Sequence, residues 1–193
     1  MCKALVGLLL LSGLASPAQA PEPKPESKAA PRKDPKPEKK PDPWAPLRFL
    51  VGEWQGTASG EPGKGTVVRR YEFVLKDRFL HERNTTTYPP QEKNKAGEVH
   101  EHWSFLSHDR KRKAILFRQF HQEGFVVTYA LNPALGGPAK LVFESEQLEN
   151  LNPALKARET YEVLSKDEFI ETFEIAEPDK PFEVYSRNHF KRR

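Results

Sequence analysis

The segment Leu47-Arg-Phe-Leu-Val-Gly52-Glu-Trp54-Gln-Gly56 constrains the fold of this chain more than any other. It predicts a short apolar helical turn, followed by a strand that carries a Gly-x-Trp-x-Gly pattern. Every later segment has strand character, and the connections between the segments are short. The sequence therefore predicts an all-β fold: a single up-and-down antiparallel β-barrel of about ten strands, with the helical turn near the barrel base.

Turn residues divide the predicted barrel into regular segments. Pro62-Gly63-Lys64-Gly65, Gln122-Glu-Gly124 and Gly136-Gly-Pro138 fall where hairpin turns are needed. Such short turns make consecutive strands antiparallel neighbours. The predicted strands lie near residues 52–58, 65–76, 79–88, 97–107, 112–121, 124–131, 138–145, 157–164, 168–175 and 181–192.

The first twenty residues have the pattern of a signal peptide. Lys3 supplies a positive start, Ala4 to Leu14 form an apolar run too short to cross a bilayer, and Ala18-Gln-Ala20 is a small-x-small cleavage signal. Cys2, the only cysteine of the chain, would leave with residues 1–20. We therefore expect an exported protein, periplasmic or extracellular, that has no disulfide and no transmembrane anchor in its mature form.

Residues 21–46 are rich in Pro, Lys and Glu and contain almost no apolar side chains, which predicts a disordered linker before the domain at 47–193. The linker is either a tether to the cell envelope or a solvated spacer without a partner. Lys3 and the linker hold eight of the 31 basic and five of the 27 acidic residues, which leaves 23 and 22 in the domain. A domain so close to neutral lacks the basic surface of a nucleic-acid-binding protein.

Two segments carry a resemblance to a known family. Gly52-x-Trp54-x-Gly56, preceded by Pro46-Leu-Arg-Phe-Leu-Val, and Val99-His-Glu-His102-Trp103-Ser-Phe105 resemble the nitrobindin-like haem-binding β-barrel family. This family belongs to the calycin group, with lipocalins and fatty-acid-binding proteins. The resemblance covers residues 46–193 and implies that haem binds through a histidine on one of the last strands. His189 is the histidine in that position, and it would bind ferric haem if it points inward; otherwise it is a solvated surface residue.

The Gly-x-Trp-x-Gly pattern has a structural interpretation. Gly52 and Gly56 allow close approach of the backbone or a bend in the first strand, and Trp54 fills the closed end of the barrel. The resemblance further implies that a cation near the C-terminus covers the indole. Its candidates are Arg187, Lys191 and Arg192.

Cationic and phenolic side chains in the middle of strands are the candidates for ligand binding. An inward arginine paired with tyrosine hydroxyls would bind a carboxylate through charge-assisted hydrogen bonds. The alternative for each arginine is a position on the outer face, with its stem packed along the sheet. We expect at least one of the four arginines to point inward. The candidates are Arg83, Arg118, Arg158 and Arg187, with Tyr129 and Tyr185.

Histidines at period-two spacing indicate a second kind of site. His100 and His102 share one face of a predicted strand with Glu98, and His121 or His81 could add a further ligand. This spacing can build a metal site on a strand. The alternative is a His-x-His pair on an exposed strand face.

The sequence carries no motif that announces catalysis. It has no nucleophile elbow, phosphate-binding loop, dinucleotide fingerprint or His-Glu-x-x-His pattern. It therefore favours a binding protein over an enzyme, namely an exported barrel that holds a small hydrophobic or amphipathic ligand, either lipid-like or haem. The alternatives are a haem-dependent enzyme acting on reactive nitrogen or oxygen species, and a non-catalytic scaffold with a filled barrel and a protein-binding tail or rim.

Overall fold

A computed structural model describes residues 41–92 and 94–193. Residues 1–40, which contain the predicted signal peptide and most of the predicted linker, lie outside the described residues. A 3₁₀ helix, Ala45–Leu50, precedes ten strands. The strands are β1 (Gly52–Gly60), β2 (Gly65–Val74), β3 (Phe79–Tyr88), β4 (Glu98–Asp109), β5 (Ala114–His121), β6 (Val126–Leu131), β7 (Lys140–Glu149), β8 (Lys156–Ser165), β9 (Glu168–Ala176) and β10 (Glu183–Arg192).

The ten strands form one closed barrel in which each strand pairs with its neighbours in sequence and β1 pairs with β10. All of these pairings are antiparallel. The predicted all-β, up-and-down barrel of ten strands with an N-terminal helical turn is confirmed. Closure leaves no unpaired strand edge in the sheet.

The 3₁₀ helix covers one end of the barrel, here called the closed end. Its Leu47 and Leu50 are buried, and Trp44, just before it, packs edge-to-face on Phe73 with ring centroids 5.4 Å apart. From its composition, the predicted linker at 21–46 includes Trp44. Because its indole is buried in the core, the packed domain includes Trp44 and begins earlier than residue 47.

Trp54 lies beneath this helix with 1% of its surface exposed. Its Nε1 donates a hydrogen bond to the carbonyl oxygen of Leu50 at 2.6 Å, and Phe169 meets the indole edge-to-face. Of the three candidate cations, Arg192 covers the indole, with its Cζ 4.3 Å from the ring centroid. The same guanidinium donates to the carbonyl oxygens of Phe49 and Val51 at 2.8 Å, so it joins the last strand to the helix.

Gly56 marks a close approach between the first and last strands. A Cβ atom at this position would lie 1.9 Å from the carbonyl oxygen of His189, which no side chain can tolerate without a backbone shift. Gly52 has a φ of +128°, a conformation that favours glycine. These two residues therefore serve closure of the barrel by their backbones.

Alternation along the strands divides the side chains into an inner and an outer set. The inner side chains next to the closed end are mostly aromatic and pack on one another. Phe169 stacks on Phe190 with centroids 4.7 Å apart, and Tyr161 and Phe143 continue the cluster. The half of the barrel near the 3₁₀ helix therefore has a packed apolar core. Among the described residues, no helix is long and apolar enough to cross a bilayer.

Candidate functional site

A buried ionic network crosses the barrel directly above the aromatic core. Arg69 on β2 donates to both carboxylate oxygens of Glu171 on β9, at 2.5 and 2.9 Å. Its Nε donates to Asn84 Oδ1 at 2.9 Å, and Glu171 also accepts from Asn188 Nδ2 at 2.7 Å. Burial alone raises the pKa of Glu171, but the Arg69 charge and the hydrogen bonds from Arg69 and Asn188 more than offset it, so this pKa lies below its usual value.

Glu82 connects this network to a histidine. Its Oε1 lies 3.3 Å from Arg69 Nε and 2.8 Å from His102 Nε2. Glu82 lies two residues from Asn84 on the same face of β3, and Asn84 pairs with Arg69 on one side and His102 on the other, so Glu82 is a diagonal neighbour of both. A carboxylate at Nε2 orients the imidazole and directs its Nδ1 toward other groups.

Three imidazoles meet at the end of the barrel away from the 3₁₀ helix, here called the far end. His100 and His102 lie two residues apart on β4, and His121 on β5 is the direct cross-strand partner of His102. The ring centroids are 5.2 to 5.8 Å apart, and one ring nitrogen from each histidine lies within 4.8 Å of the others. We call this set the three-histidine cluster.

The surroundings of the three-histidine cluster leave nitrogens available for a metal ion. His100 Nδ1 contacts Glu123 Oε1 at 3.0 Å and its Nε2 lies 3.4 Å from His121 Nδ1, while His102 Nδ1 has no hydrogen-bond partner among the described residues. Burial, helped by the neighbouring His102 and His100 rings, lowers the pKa of His121 to about 2. His121 is therefore neutral at any physiological pH, which is the form that binds a metal.

Five further buried side chains carry an oxygen without a hydrogen-bond partner among the described residues. All five point into the barrel from different strands, and all belong to the half that contains the ionic network. They are Glu82 (Oε2), Ser104 (Oγ), Tyr129 (Oη), Glu159 (Oε2) and Asn188 (Oδ1). Because buried polar atoms are normally paired, this acceptor cluster indicates a place where a guest or water binds.

Glu159 is the least compensated charge of the interior. Among the described residues its carboxylate accepts one hydrogen bond, from Gln119 Nε2 at 3.4 Å. Burial, followed by the charge of Glu171, raises the pKa of Glu159 well above its usual value. The folded protein therefore holds a proton on Glu159 under conditions where the unfolded chain has lost it.

Glu159→Gln is expected to stabilise the protein at neutral pH. Because the pKa of Glu159 is raised in the folded state, its contribution to stability falls as pH rises above the usual value of 4.5, by about 1.4 kcal/mol for each pH unit until the folded-state pKa is reached. Urea unfolding at pH 4 and pH 7 should show a gain over wild type at pH 7 that vanishes near pH 4. Equal gains at both pH values would contradict an uncompensated Glu159.

Comparisons with known proteins bear on the fold. The crystal structure of Rv2717c from M. tuberculosis matches with a TM-score of 0.58 at 16% sequence identity, over 78% of this chain and 97% of that one. These values show the fold alone. A redesigned β-barrel matches at 12% identity over 75% of this chain and 92% of its own, with a TM-score of 0.36. No protein-family model matches the sequence, and a search of curated proteins finds no match.

The likeness to Rv2717c shows the barrel fold, while membership of the calycin group and the haem function of the nitrobindin-like family stay predictions. His189, its expected ligand, points to the outer face, where 41% of its side chain is exposed and its Nε2 lies 2.7 Å from Glu168 Oε1. The haem interpretation requires an inward imidazole. This condition is not met, because Phe190 takes the inner position next to it.

The expectation that an inward arginine is found among the four candidates is wrong. Arg83 lies over the outer ring of Trp103, and Arg118 is exposed between two buried neighbours. Arg158 pairs with Glu174 and Arg187 with Glu162, both on the outer wall. Each of these arginines lies next to a buried, inward-pointing residue of its own strand, so its own side chain points to the outer face.

The two tyrosine candidates differ in their burial. Tyr129 is fully buried, and its hydroxyl belongs to the acceptor cluster. Tyr185 is 41% exposed and meets Phe173 edge-to-face. Of the six predicted ligand-binding residues, the structure thus places one, Tyr129, inside the barrel.

Sequence reasoning missed the interior charges: Arg69, Glu82, Glu159 and Glu171. The sequence pattern that could have revealed these charges is alternation, because each charged residue shares one face of its strand with buried apolar residues. Arg69 shares a face with Val67 and Tyr71, which is the clearest alternating pattern in the chain. A charged residue on an apolar face indicates a buried, paired charge.

Proposed function

We propose that this protein is a metal-binding β-barrel whose three-histidine cluster holds a divalent transition-metal ion, with Zn²⁺ as its best-suited occupant. The observation that carries the proposal is the convergence of three inward imidazoles, with one ring nitrogen from each within 4.8 Å of the others. A tetrahedral zinc ion with Zn–N bonds of about 2.0–2.1 Å places its ligand atoms roughly 3.3 Å apart. His121 Nδ1 and His100 Nε2 already lie 3.4 Å apart, so small rotations of the rings complete the geometry.

Carboxylates behind the imidazoles support a metal site. Glu82 contacts His102 and Glu123 contacts His100, in each case on one nitrogen while the other nitrogen is left for a ligand. Such carboxylate–histidine pairs fix the ring orientation and raise the basicity of metal ligands. Three imidazoles suit zinc, copper, nickel and iron better than calcium or magnesium, which prefer oxygen.

The charge balance of the interior also favours a cation. Among the described buried side chains, Arg69 faces three carboxyl groups, those of Glu82, Glu159 and Glu171. A divalent ion beside Glu82 would reduce this excess of acidic groups. A site lined in this way suits a metal cation better than a free anionic ligand.

The fold is compatible with a barrel that binds a ligand inside. Under the proposal, three histidines leave one coordination position for a small molecule that enters from the far end. Export to the periplasm or the extracellular space remains part of the proposal, supported by the pattern at Lys3, Ala4 to Leu14 and Ala18-Gln-Ala20. The hydrophobic or amphipathic ligand inferred from the sequence stays a prediction.

His121→Ala and His102→Ala are expected to weaken zinc binding at least 100-fold, because two imidazoles cannot hold the ion as three do. Isothermal titration calorimetry with Zn²⁺ on metal-stripped protein measures the affinity, and the visible spectrum of the Co²⁺-substituted protein reports tetrahedral coordination. His121→Ala is the cleaner variant, since its ring has no part in the ionic network.

His189→Ala serves as the matched control, because its imidazole lies on the outer face. It should bind zinc like wild type. Equal zinc affinities in His121→Ala, His189→Ala and wild type would overturn the metal proposal. The same control tests the haem alternative: a Soret band in protein purified from cells, lost in His189→Ala, would support haem instead.

A further inference from the structure

The acceptor cluster lies directly beneath the three-histidine cluster, on the side of the closed end. Ser104 on β4 pairs across the sheet with Glu82 on β3 and with Gln119 on β5, one step from the rung that holds His102 and His121. Gln119 in turn contacts Glu159 from the opposite wall. Contacts therefore join four of the five members of the cluster, since Asn188 bonds to Glu171, which pairs with Arg69 beside Glu82.

Acceptors outnumber donors in this layer of the interior. The unpartnered atoms of Glu82, Glu159 and Asn188 are two carboxyl oxygens and an amide oxygen, and those of Ser104 and Tyr129 are hydroxyls that both donate and accept. Arg69, the buried cation among the described residues, already donates to Glu171, Asn84 and Tyr71. An anion in this layer would be repelled by carboxylates, whereas a hydrogen-bond donor would find unpaired acceptors.

We propose that the acceptor cluster is a binding subsite for a small protonated primary amine, separate from the three-histidine cluster. An alkylammonium head has three N–H donors and one positive charge. Two carboxyl oxygens and the Asn188 amide oxygen match these donors once Glu159 releases the proton that burial keeps on it, and the ammonium charge then pairs with the Glu159 carboxylate. A buried charge is tolerated when it is paired and hydrogen-bonded, and this layer supplies both conditions.

The subsite reverses the ligand chemistry inferred from the sequence. Inward arginines would have favoured a carboxylate, but the arginines concerned lie outside and carboxyl groups lie within. The barrel therefore selects amines over fatty acids. One side-chain oxygen of Glu159 is unpaired and the other is bonded only to Gln119. The burial of this carboxyl group is explained if it binds a ligand.

The test is an NMR titration of the full-length, EDTA-treated protein with methylammonium chloride at constant ionic strength. With two heavy atoms, this ligand can reach a Kd on the order of 10 mM at best, which a titration to about 200 mM resolves. Wild type should bind methylammonium saturably, and Glu159→Gln at least tenfold more weakly. Tetramethylammonium, which has the charge without N–H donors, and acetate should cause no saturable shifts of the interior resonances.

Two variants serve as controls. Glu162→Gln makes the same chemical change on the outer face of the same strand and should bind methylammonium like wild type. His121→Ala should lose zinc and keep methylammonium, which separates this subsite from the metal site. The proposal is overturned if wild type shows no saturable methylammonium binding, if tetramethylammonium or acetate binds equally well, or if His121→Ala loses methylammonium too.

Discussion

Replacement of Trp54 by alanine is expected to lower the free energy of unfolding by about 3–5 kcal/mol, a large share of the 5–15 kcal/mol typical of a domain. The indole is buried beneath the 3₁₀ helix, donates to Leu50 and is covered by Arg192. Alanine leaves a cavity at the closed end and removes the surface on which Arg192 rests. Urea unfolding followed by circular dichroism measures the loss.

Trp103→Ala is the matched control for this prediction. Trp103 is 50% exposed on the outer face and is covered there by Arg83. Its removal should cost about 1 kcal/mol, since it removes two contacts on the outer face, the cation–π contact with Arg83 and the edge-to-face contact with His81. A Trp54→Ala protein as stable as Trp103→Ala would show that the indole does not hold the closed end together.

Glu171→Gln is expected to destabilise the protein at pH 7 by about 3–5 kcal/mol, because it leaves the buried Arg69 guanidinium without its main counter-charge. Glu171 accepts two hydrogen bonds from Arg69 and one from Asn188, and a glutamine amide can satisfy only part of this set. Urea unfolding at pH 7 measures the effect. The loss of unfolding free energy should be much larger than the loss caused by replacing any surface carboxylate.

The pH dependence of this effect follows from the pKa of Glu171, which lies below its usual value in the folded protein. The stabilisation is therefore fully present above the unfolded-state value of 4.5 and is lost as pH falls through the folded-state pKa. The difference between wild type and Glu171→Gln should shrink below about pH 4.5. Glu174→Gln, on the outer face of the same strand, should cost less than about 1 kcal/mol at pH 7; an equal cost in both variants would contradict the buried network.

Local sequence patterns predicted the fold well, because strands and hairpin turns depend on residues that are close together in the chain. Turn residues such as Pro62-Gly63 and Gln122-Glu-Gly124 break the chain at hairpins, and alternation along each segment specifies strands. Short hairpins then leave an up-and-down order as the simplest topology. The predicted strand near 97–107 and the observed Glu98–Asp109 differ only at their ends, where pairing with a neighbour decides the boundary.

The candidate site was predicted less well, since composition does not reveal which face of a strand lies inside. Arg158 and Glu159 are adjacent, and a choice of the wrong face exchanges an outer ion pair for an interior acid. The spacing of His100 and His102 predicted that they share one strand face, and the structure confirms this by placing both imidazoles inside the barrel. The third histidine could be chosen between His81 and His121 only after the strands were paired.

The strands, their turns and the closed end at Trp54 follow from the sequence, because each depends on residues close together in the chain. The register and the inner face emerge only when the strands pair. They bring Arg69, Glu82 and Glu171 together from β2, β3 and β9. Charge pairing and metal coordination depend on distances of a few ångströms, and those distances exist only once the sheet has closed.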